Sequence, residues 1–500
     1  MVEEKKVIQE IMLLDNSDLS YPTVKNNILT LNFSGTTGIR ELKFQVFFAQ
    51  PPRNDTATER NLMFINSKTT TMFFRVFILA VVCIAGGVAH ILKDAPVEGL
   101  CDTSVKSLSG YFTVEEKLNK NYFFWLFESR SNPTTDPLIM WLTGGPGCSS
   151  QLALLSENGP CRVTKDGLST TNNPHSWNNN ANIMWIDQPA GVGFSYGTKN
   201  DHNETMVGND MYSFLQAFFV AHPEYANNHF FVFGESYGGH YAPAVASRIF
   251  QGNNNNDGLH INLQGVGVGN GLTDPLVQYK YYPTMAMNNS YGIKTVSEED
   301  YQKMVKRLPE CEALALACNV AVKTEGNLTV CEQAYTLCNL VETTPYYNSG
   351  LNPYDIRIPC GESSLCYDFT NIETFLNLES TRSALHVSEN VDKWQSCNTA
   401  VDVMFMTDWM RDYQQLLIPM LEHGVRVLIY AGDVDFICNW IGNKAWTHAL
   451  RWSGHESYNK ETDHDWLFTP KDAVDQVRGG KVKTAKAKVG IKSLIDGFNL

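Results

Sequence analysis

The sequence predicts an α/β fold, a mostly parallel central sheet covered on both faces by helices. Three observations carry that prediction. Short apolar runs of strand length recur at 122–127, 138–142, 183–186, 230–233, 266–268 and 425–430, with helical stretches such as 207–221 between them. Strands alternating with helices bury a parallel sheet on both sides. At 229–250 an apolar run leads into Gly234-Glu235-Ser236-Tyr237-Gly238, and from His240 to Phe250 the apolar residues fall at helical spacing. Between about 275 and 395 the pattern changes to a Cys-rich, irregular stretch with helical pieces near 297–319, which reads as an insertion carried on the main fold.

Composition narrows the class. The chain has 500 residues, 43% of them hydrophobic, ample for a sizeable core. Its net charge of −14 argues against nucleic acid as a partner, since no broad face could neutralise phosphates. The one dense basic cluster, Lys481, Lys483, Lys486 and Lys488, reads as a solvated tail. Of twelve cysteines, Cys311, Cys318, Cys331 and Cys338 fall in one short segment, and Cys360 and Cys366 follow. No C-x-x-C pair of the zinc type occurs, so no metal is expected. Disulfides, and hence an oxidising compartment, are the reading. The sequons at Asn203, Asn288 and Asn327 agree with it as glycosylation sites.

Taken in order, residues 1–71 are polar, weakly periodic and free of cysteine, and no chemistry attaches to them. Residues 72–89 combine Arg75, a short apolar run and a small-residue exit, the pattern of a secretory signal. A signal belongs at a chain start. Met72 is therefore the expected initiator and 1–71 a gene-model artefact; a genuine extension would instead make the run a signal anchor. Cys83 lies in this segment and would be removed with it. The core is expected over 95–275, the insertion over 276–395, and the second part of the core over 396–500.

The chemistry centres on Ser236. Strand, sharp turn and helix around G-x-S-x-G is the nucleophile elbow of an α/β hydrolase. A Gly-Ser-Gly turn alone is common; its place between a buried-type strand and a helix favours the catalytic reading. The turn lifts the serine hydroxyl above the sheet edge, and the Tyr237 amide at the helix N-terminus can donate to an oxyanion. Such a fold needs a second donor from a Gly-rich loop after an early strand, and Gly144-Gly145 stands there. It needs an acid after a late strand, where Asp433 and Asp435 both qualify.

Long motifs then carry a resemblance. Trp141-Leu-Thr-Gly-Gly-Pro-Gly-Cys-Ser-Ser150, Asp187-Gln-Pro, Gly193-Phe-Ser-Tyr196, Gly234-Glu-Ser-Tyr-Gly-Gly-His-Tyr241, Gly269-Asn-Gly-Leu-Thr-Asp-Pro275 and Ala431-Gly-Asp-Val-Asp-Phe-Ile-Cys-Asn-Trp440 stand in the order they take in serine carboxypeptidases. The stretch from about Ser109 to about Lys488 resembles the carboxypeptidase Y type. The resemblance implies Ser236 as nucleophile, Asp435 as the triad acid, and the Gly145 and Tyr237 amides as the oxyanion hole. It implies that Trp141, Thr143, Gly144, Glu157 and Glu235 bind the free carboxylate of a peptide or protein C-terminus, with Cys438 a thiol lining the substrate site. It implies the disulfides Cys148–Cys397, Cys311–Cys338, Cys318–Cys331 and Cys360–Cys366; Cys101 and Cys161 remain and are expected to pair. It implies no cofactor, and a secretory route to a vacuole- or lysosome-like compartment or to the exterior. Two glutamates and a substrate carboxylate cannot all ionise when crowded, so one glutamic acid should keep its proton and donate it.

Two departures stand out. Where the family usually has Trp-Leu-Asn-Gly-Gly, this chain has Thr143, which lacks an amide donor of the same reach. The Gly-Gly-His motif that carries the family's catalytic histidine after the last strand is absent. His448, His455 and His464 follow Asp435, and each reads as a surface histidine; His240 is expected to pack on the elbow helix. Without an imidazole base the Ser236 hydroxyl is a poor nucleophile. The expectation is a carboxypeptidase-type chain, nearly inactive in this form and with an exposed sheet edge. The alternatives are a truncated pseudoenzyme that binds peptide C-termini or a partner protein, and an acyltransferase on the same fold.

Overall fold

A computed structural model describes residues 19–25, 28–33, 41–45, 94–363, 365–468 and 477–486. The chain divides into two compact units, Met1–Ala89 and His90–Leu500. In the first, Leu19–Lys25, Ile28–Phe33 and Glu41–Gln45 form a three-stranded antiparallel sheet. The signal-like segment at 72–89 lies outside the described residues.

The second unit is built on an eight-stranded sheet. Its strands are β1 (Ala95–Pro96), β2 (Ser107–Glu115), β3 (Lys120–Phe127), β4 (Leu138–Thr143), β5 (Asn182–Ile186), β6 (Phe230–Ser236), β7 (Leu263–Gly271) and β8 (Arg426–Tyr430). The spatial order is β8-β7-β6-β4-β5-β3-β2-β1. From β5 through β8 neighbouring strands run parallel, while β1, β2 and β3 form an antiparallel flank. The predicted strands are all present. The two not anticipated, β1 and β2, lack a continuous apolar run: β2 mixes Ser107, Ser109, Gly110 and Thr113 among its apolar residues.

The central strands read as apolar runs because both their faces are covered. β4, Leu-Ile-Met-Trp-Leu-Thr, is buried at every position. Met140 and Leu142 point into one core with α2 (Glu204–Ala221) and α3 (Gly238–Asn255), while Ile139 and Trp141 point into the other with α1 (Gln151–Ser156) and Trp394. The period of two along the strand separates these cores.

The 276–395 stretch carries the helical hairpin α4 (Glu298–Lys323) and α5 (Thr329–Cys338), stapled by Cys311–Cys338 and, inside it, Cys318–Cys331. Cys101–Cys161, Cys148–Cys397 and Cys360–Cys366 are also bonded, and Cys438 is a buried free thiol. Asn288 and Asn327 are exposed; Asn203 is half-buried and caps α2 by accepting from the Met206 amide. Among the described residues β8 is the edge of the sheet, with Leu428 41% exposed, and His464–Phe468 pairs with Val477–Val482 in a separate hairpin.

Candidate active site

The functional side chains gather at the carboxyl ends of β4, β6, β7 and β8, where parallel sheets of this kind place their ligands. β6 ends in the predicted sharp turn. Ser236 sits at φ 57°, a left-handed conformation that a non-glycine residue holds only when its surroundings impose it. The surroundings are close-packed backbone. A Cβ on Gly234 would lie 2.2 Å from the Gly238 carbonyl, and one on Gly238 would lie 2.6 Å from the Leu142 carbonyl. Strand and helix therefore touch through glycine, and the turn is held at both ends. Tyr237 caps α3, so its amide is one of the helix's free N-terminal donors. The Gly144 loop presses on the same point: a Cβ at Gly144 would be 2.3 Å from the Tyr237 nitrogen.

Cys438 lies beside Ser236, and burial raises its thiol well above its ordinary range. Asp435 is buried beside it. Its carboxylate accepts from Asn270 Nδ2 at 2.8 Å and from the Cys438 amide at 3.3 Å. Burial pushes the Asp435 carboxyl up to about 7, against the hydrogen bonds it accepts. Asp433, the other acid after β8, instead accepts from the Tyr291 hydroxyl at 3.0 Å in an exposed setting. Asn270 ties the strand ends together, since its Oδ1 accepts from the Gly432 amide.

The later histidines are engaged elsewhere. His448 Nε2 lies 3.3 Å from Lys483 Nζ, His455 Nδ1 is 2.8 Å from the Leu450 carbonyl, and His464 Nε2 is 2.8 Å from Glu461. His240 is buried on α3 between the Tyr237 and Tyr413 rings. Among the described residues no histidine bonds the Asp435 carboxylate.

Beside Ser236 opens a cavity of about 250 Å³. Trp141, Trp177 and Tyr430 give it an aromatic lining; Glu157, Asn158 and Glu235 give it a polar one, completed by Gly269 and Asn270. Trp177 meets both Trp141 and Phe233 edge to face, at 5.3 Å each. Trp141 Nε1 donates to Thr143 Oγ1 at 3.0 Å, so Thr143 stands beside the tryptophan that the sequence pairs it with. Glu157 and Glu235 are hydrogen-bonded to each other. Burial raises both, and the neighbouring Glu157 raises Glu235 further, so the pair keeps a proton on Glu235, which donates to Glu157. Glu157 keeps accessible surface and lines the cavity, yet the protein packed around it disfavours its charge. The Arg162 guanidinium donates to the Glu157 carbonyl and favours the ionised form of its side chain.

Trp141, Glu157 and Glu235 thus share one cavity, and Thr143, Gly144, Tyr237, Ser236, Asp435 and Cys438 adjoin it. Asn158, Trp177, Gly269, Asn270 and Tyr430 were not singled out from the sequence. Asn270 had a signal, the Gly-Asn-Gly after an apolar run; Trp177 and Tyr430 had none, because only the fold brings them to the site. Among the described residues no cluster of His, Cys, Asp and Glu is placed to hold a metal, and no helix is long and apolar enough to cross a membrane.

Comparison with known proteins agrees with the motifs. The serine carboxypeptidase family profile matches residues 98–493. Carboxypeptidase Y of Candida albicans is 44% identical over 393 residues, 78% of this chain and 70% of that protein. Serine carboxypeptidase-like 49 of Arabidopsis thaliana is 43% identical over 369 residues, 73% of this chain and 69% of that protein. The crystal structure of KEX1(delta)p, a prohormone-processing carboxypeptidase of Saccharomyces cerevisiae, superposes with a TM-score of 0.66 at 26% identity, covering 80% of this chain and 90% of that one. With the profile spanning most of its length and such relatives on either side, the chain belongs to the serine carboxypeptidase family.

Proposed function

We propose that this chain grips the free C-terminus of a peptide in the Trp141–Glu157–Glu235 cavity and presents the last peptide bond to Ser236. The observation that carries the reading is the hydrogen-bonded Glu235–Glu157 pair next to a serine held in a left-handed bend. A protonated carboxyl in that pair can donate to a substrate carboxylate, which an ordinary glutamate would repel. In the family's reaction Ser236 attacks the scissile carbonyl, the Gly145 and Tyr237 amides hold the oxyanion, and Asp435 orients the base that takes the serine's proton. The released amino acid leaves first, and water then resolves the acyl-enzyme.

The base is the weak element. Asp435 spends its hydrogen bonds on Asn270 and a backbone amide, and among the described residues no histidine stands between it and Ser236. That favours a second reading, a chain that binds peptide ends with little turnover. Loss of one triad member leaves a residual rate on the order of a thousandfold over water. The test uses the purified chain, a blocked apolar dipeptide, and Ser236→Ala as control. Release of the terminal residue at a rate that Ser236→Ala abolishes supports the hydrolase. Saturable binding of the free-acid peptide with equal background hydrolysis in both proteins supports the binding reading. No preference for a free C-terminus over a C-terminal amide refutes both. The route proposed is secretory, with an acidic compartment as the setting in which the Glu235 proton is best kept.

A further inference from the structure

His240 is a buried ring that the proposed chemistry leaves unused. It is fully buried and follows the elbow glycines at the start of α3. Both ring nitrogens face backbone carbonyls: Nδ1 lies 2.5 Å from the Leu272 oxygen and Nε2 3.2 Å from the Trp409 oxygen. A carbonyl oxygen can only accept, so the nitrogen that bonds must carry the proton. Burial holds the imidazole below its ordinary range and favours the neutral ring, with one proton to place. The shorter contact assigns it to Nδ1. The ring is also clamped on its faces. It packs between Tyr237 and Tyr413, at 4.5 and 4.6 Å between centroids, and both tyrosine hydroxyls donate to Asp408, at 2.8 and 2.6 Å. Gly239 permits the close approach, since a Cβ there would lie 2.5 Å from the same Leu272 carbonyl.

Leu272 matters because of what its amide holds. It directly follows β7, and its N–H donates to the Ser236 carbonyl at 2.9 Å. That carbonyl and the Tyr237 N–H belong to one trans peptide unit, which is planar, so the two point in opposite directions. β6 lies between β7 and β4. With the carbonyl drawn to the β7 end, the N–H is turned toward the Gly144–Gly145 loop at the β4 end, where Gly144 already presses on the Tyr237 nitrogen. Ser236 sits in a left-handed bend that its surroundings must impose, so this peptide plane needs an external hold. We propose that His240 is a positioning residue: by donating to the Leu272 carbonyl it fixes the Leu272 amide against Ser236, and so aims the Tyr237 N–H at the oxyanion. The inference rests on the oxyanion role proposed above for the Tyr237 amide and names what holds that amide in place.

The test is titration calorimetry on the full chain with two uncleavable ligands. One is an apolar peptide with a phosphinate in place of the scissile amide, whose charged oxygens imitate the tetrahedral intermediate. The other carries a dimethylene link that offers no oxygen there. Both keep a free C-terminus and neither needs a base, so the ratio of their affinities reads recognition at the reacting centre. The parent should favour the phosphinate by at least about tenfold. His240→Asn places an amide nitrogen as far along the side chain as Nδ1, and should keep that ratio within about threefold. His240→Gln places its nitrogen where Nε2 stands, and should lose about tenfold of the ratio, the range for one donor to a charged oxygen. Glutamine is nearer to histidine in volume, so a packing role alone predicts the opposite order. A ratio intact in His240→Gln, equal losses in the two variants, or a loss in His240→Gln shared by both ligands overturns the assignment. A parent with no preference for the phosphinate refutes the oxyanion reading itself. If His240→Gln does not fold, nitrogen NMR of the histidine-labelled parent decides: a protonated His240 Nδ1 from pH 5 to 8 supports the proposal, and an unprotonated one overturns it.

Discussion

Replacing Glu235 by glutamine should uncouple peptide binding from pH. In the free site Glu235 holds its proton because burial and the adjacent Glu157 both oppose its charge. A substrate carboxylate placed beside the pair opposes it further, so the bound state carries at least as many protons as the free state. Linkage fixes the sign: affinity is highest at acid pH and falls as pH rises through the free-site value. The limiting slope is one proton, so each pH unit beyond that value costs about 1.4 kcal/mol, or tenfold in dissociation constant. Across two such units the loss is about a hundredfold. Glutamine supplies a donor of similar reach at every pH, so Glu235→Gln should bind at pH 5 within about tenfold of the parent and change by less than about threefold up to pH 8. The assay is anisotropy of a labelled free-acid tetrapeptide from pH 4.5 to 8, with its C-terminal amide as the pH-insensitive reference. A flat profile for the parent chain, or a slope in Glu235→Gln as steep as the parent's, would refute the shared-proton account.

Three further outcomes are expected. Buried carboxyls raised to about 6 at Asp187, about 7 at Asp274 and Asp435 and about 8 at Glu342 keep protons in the folded chain that the unfolded chain releases near pH 4, so stability falls as pH climbs through that window. For Asp435 alone the difference is on the order of 4 kcal/mol by pH 7, and Asp435→Asn should flatten the dependence of denaturation midpoint on pH; an unchanged slope would count against its burial as the cause. Gly144→Ala drives a Cβ to within 2.3 Å of the Tyr237 nitrogen and 2.7 Å of the Glu235 carbonyl, both backbone, and should cost about 1–3 kcal/mol in thermal unfolding together with measurable loss of peptide binding. Cys148→Ser opens a disulfide that spans 249 residues and should lower stability by up to about 5 kcal/mol on loop-closure grounds, read from a denaturant titration; a midpoint shift no larger than that of opening Cys360–Cys366, which spans 6, would contradict the loop-length reasoning.

What could be read from the sequence was whatever is local. The strands β3 to β8 declare themselves because strands buried on both faces are apolar throughout, and the elbow because a forced left-handed residue between touching backbones demands a fixed set of glycines. β2 escaped because its polar positions break the run, even though Ser109 is buried and satisfied by the Leu385 carbonyl. The candidate site divides the same way. Ser236, Glu235 and Gly144 carry their signals in adjacent residues. Trp177 and Tyr430 belong to the site only through packing between segments far apart in the chain.

On the proposed reading, gripping and cutting fall to different parts of the site. The grip is assembled from the end of β4, the residues just after α1 and the β6 turn, each locked by its neighbours' backbone. Gly144 is wedged against Tyr237, Asn158 is pinned by Ala153, Trp177 and Trp185, and Ser236 is fixed by glycines on both sides. None of these contacts passes through a histidine. Asp435 and Asn270 stand apart from these contacts at the β7 and β8 ends, where hydrogen bonds from an amide side chain and from backbone hold the carboxyl. Peptide affinity and its pH dependence should therefore be set by residues that stay in place whether or not a base is supplied, and turnover by the base alone. A variant that places a histidine within reach of Ser236 and Asp435 should accordingly raise kcat while leaving the affinity for the free-acid peptide within about twofold; a parallel change in both would mean that the two halves of the site are coupled through the Ser236 bend.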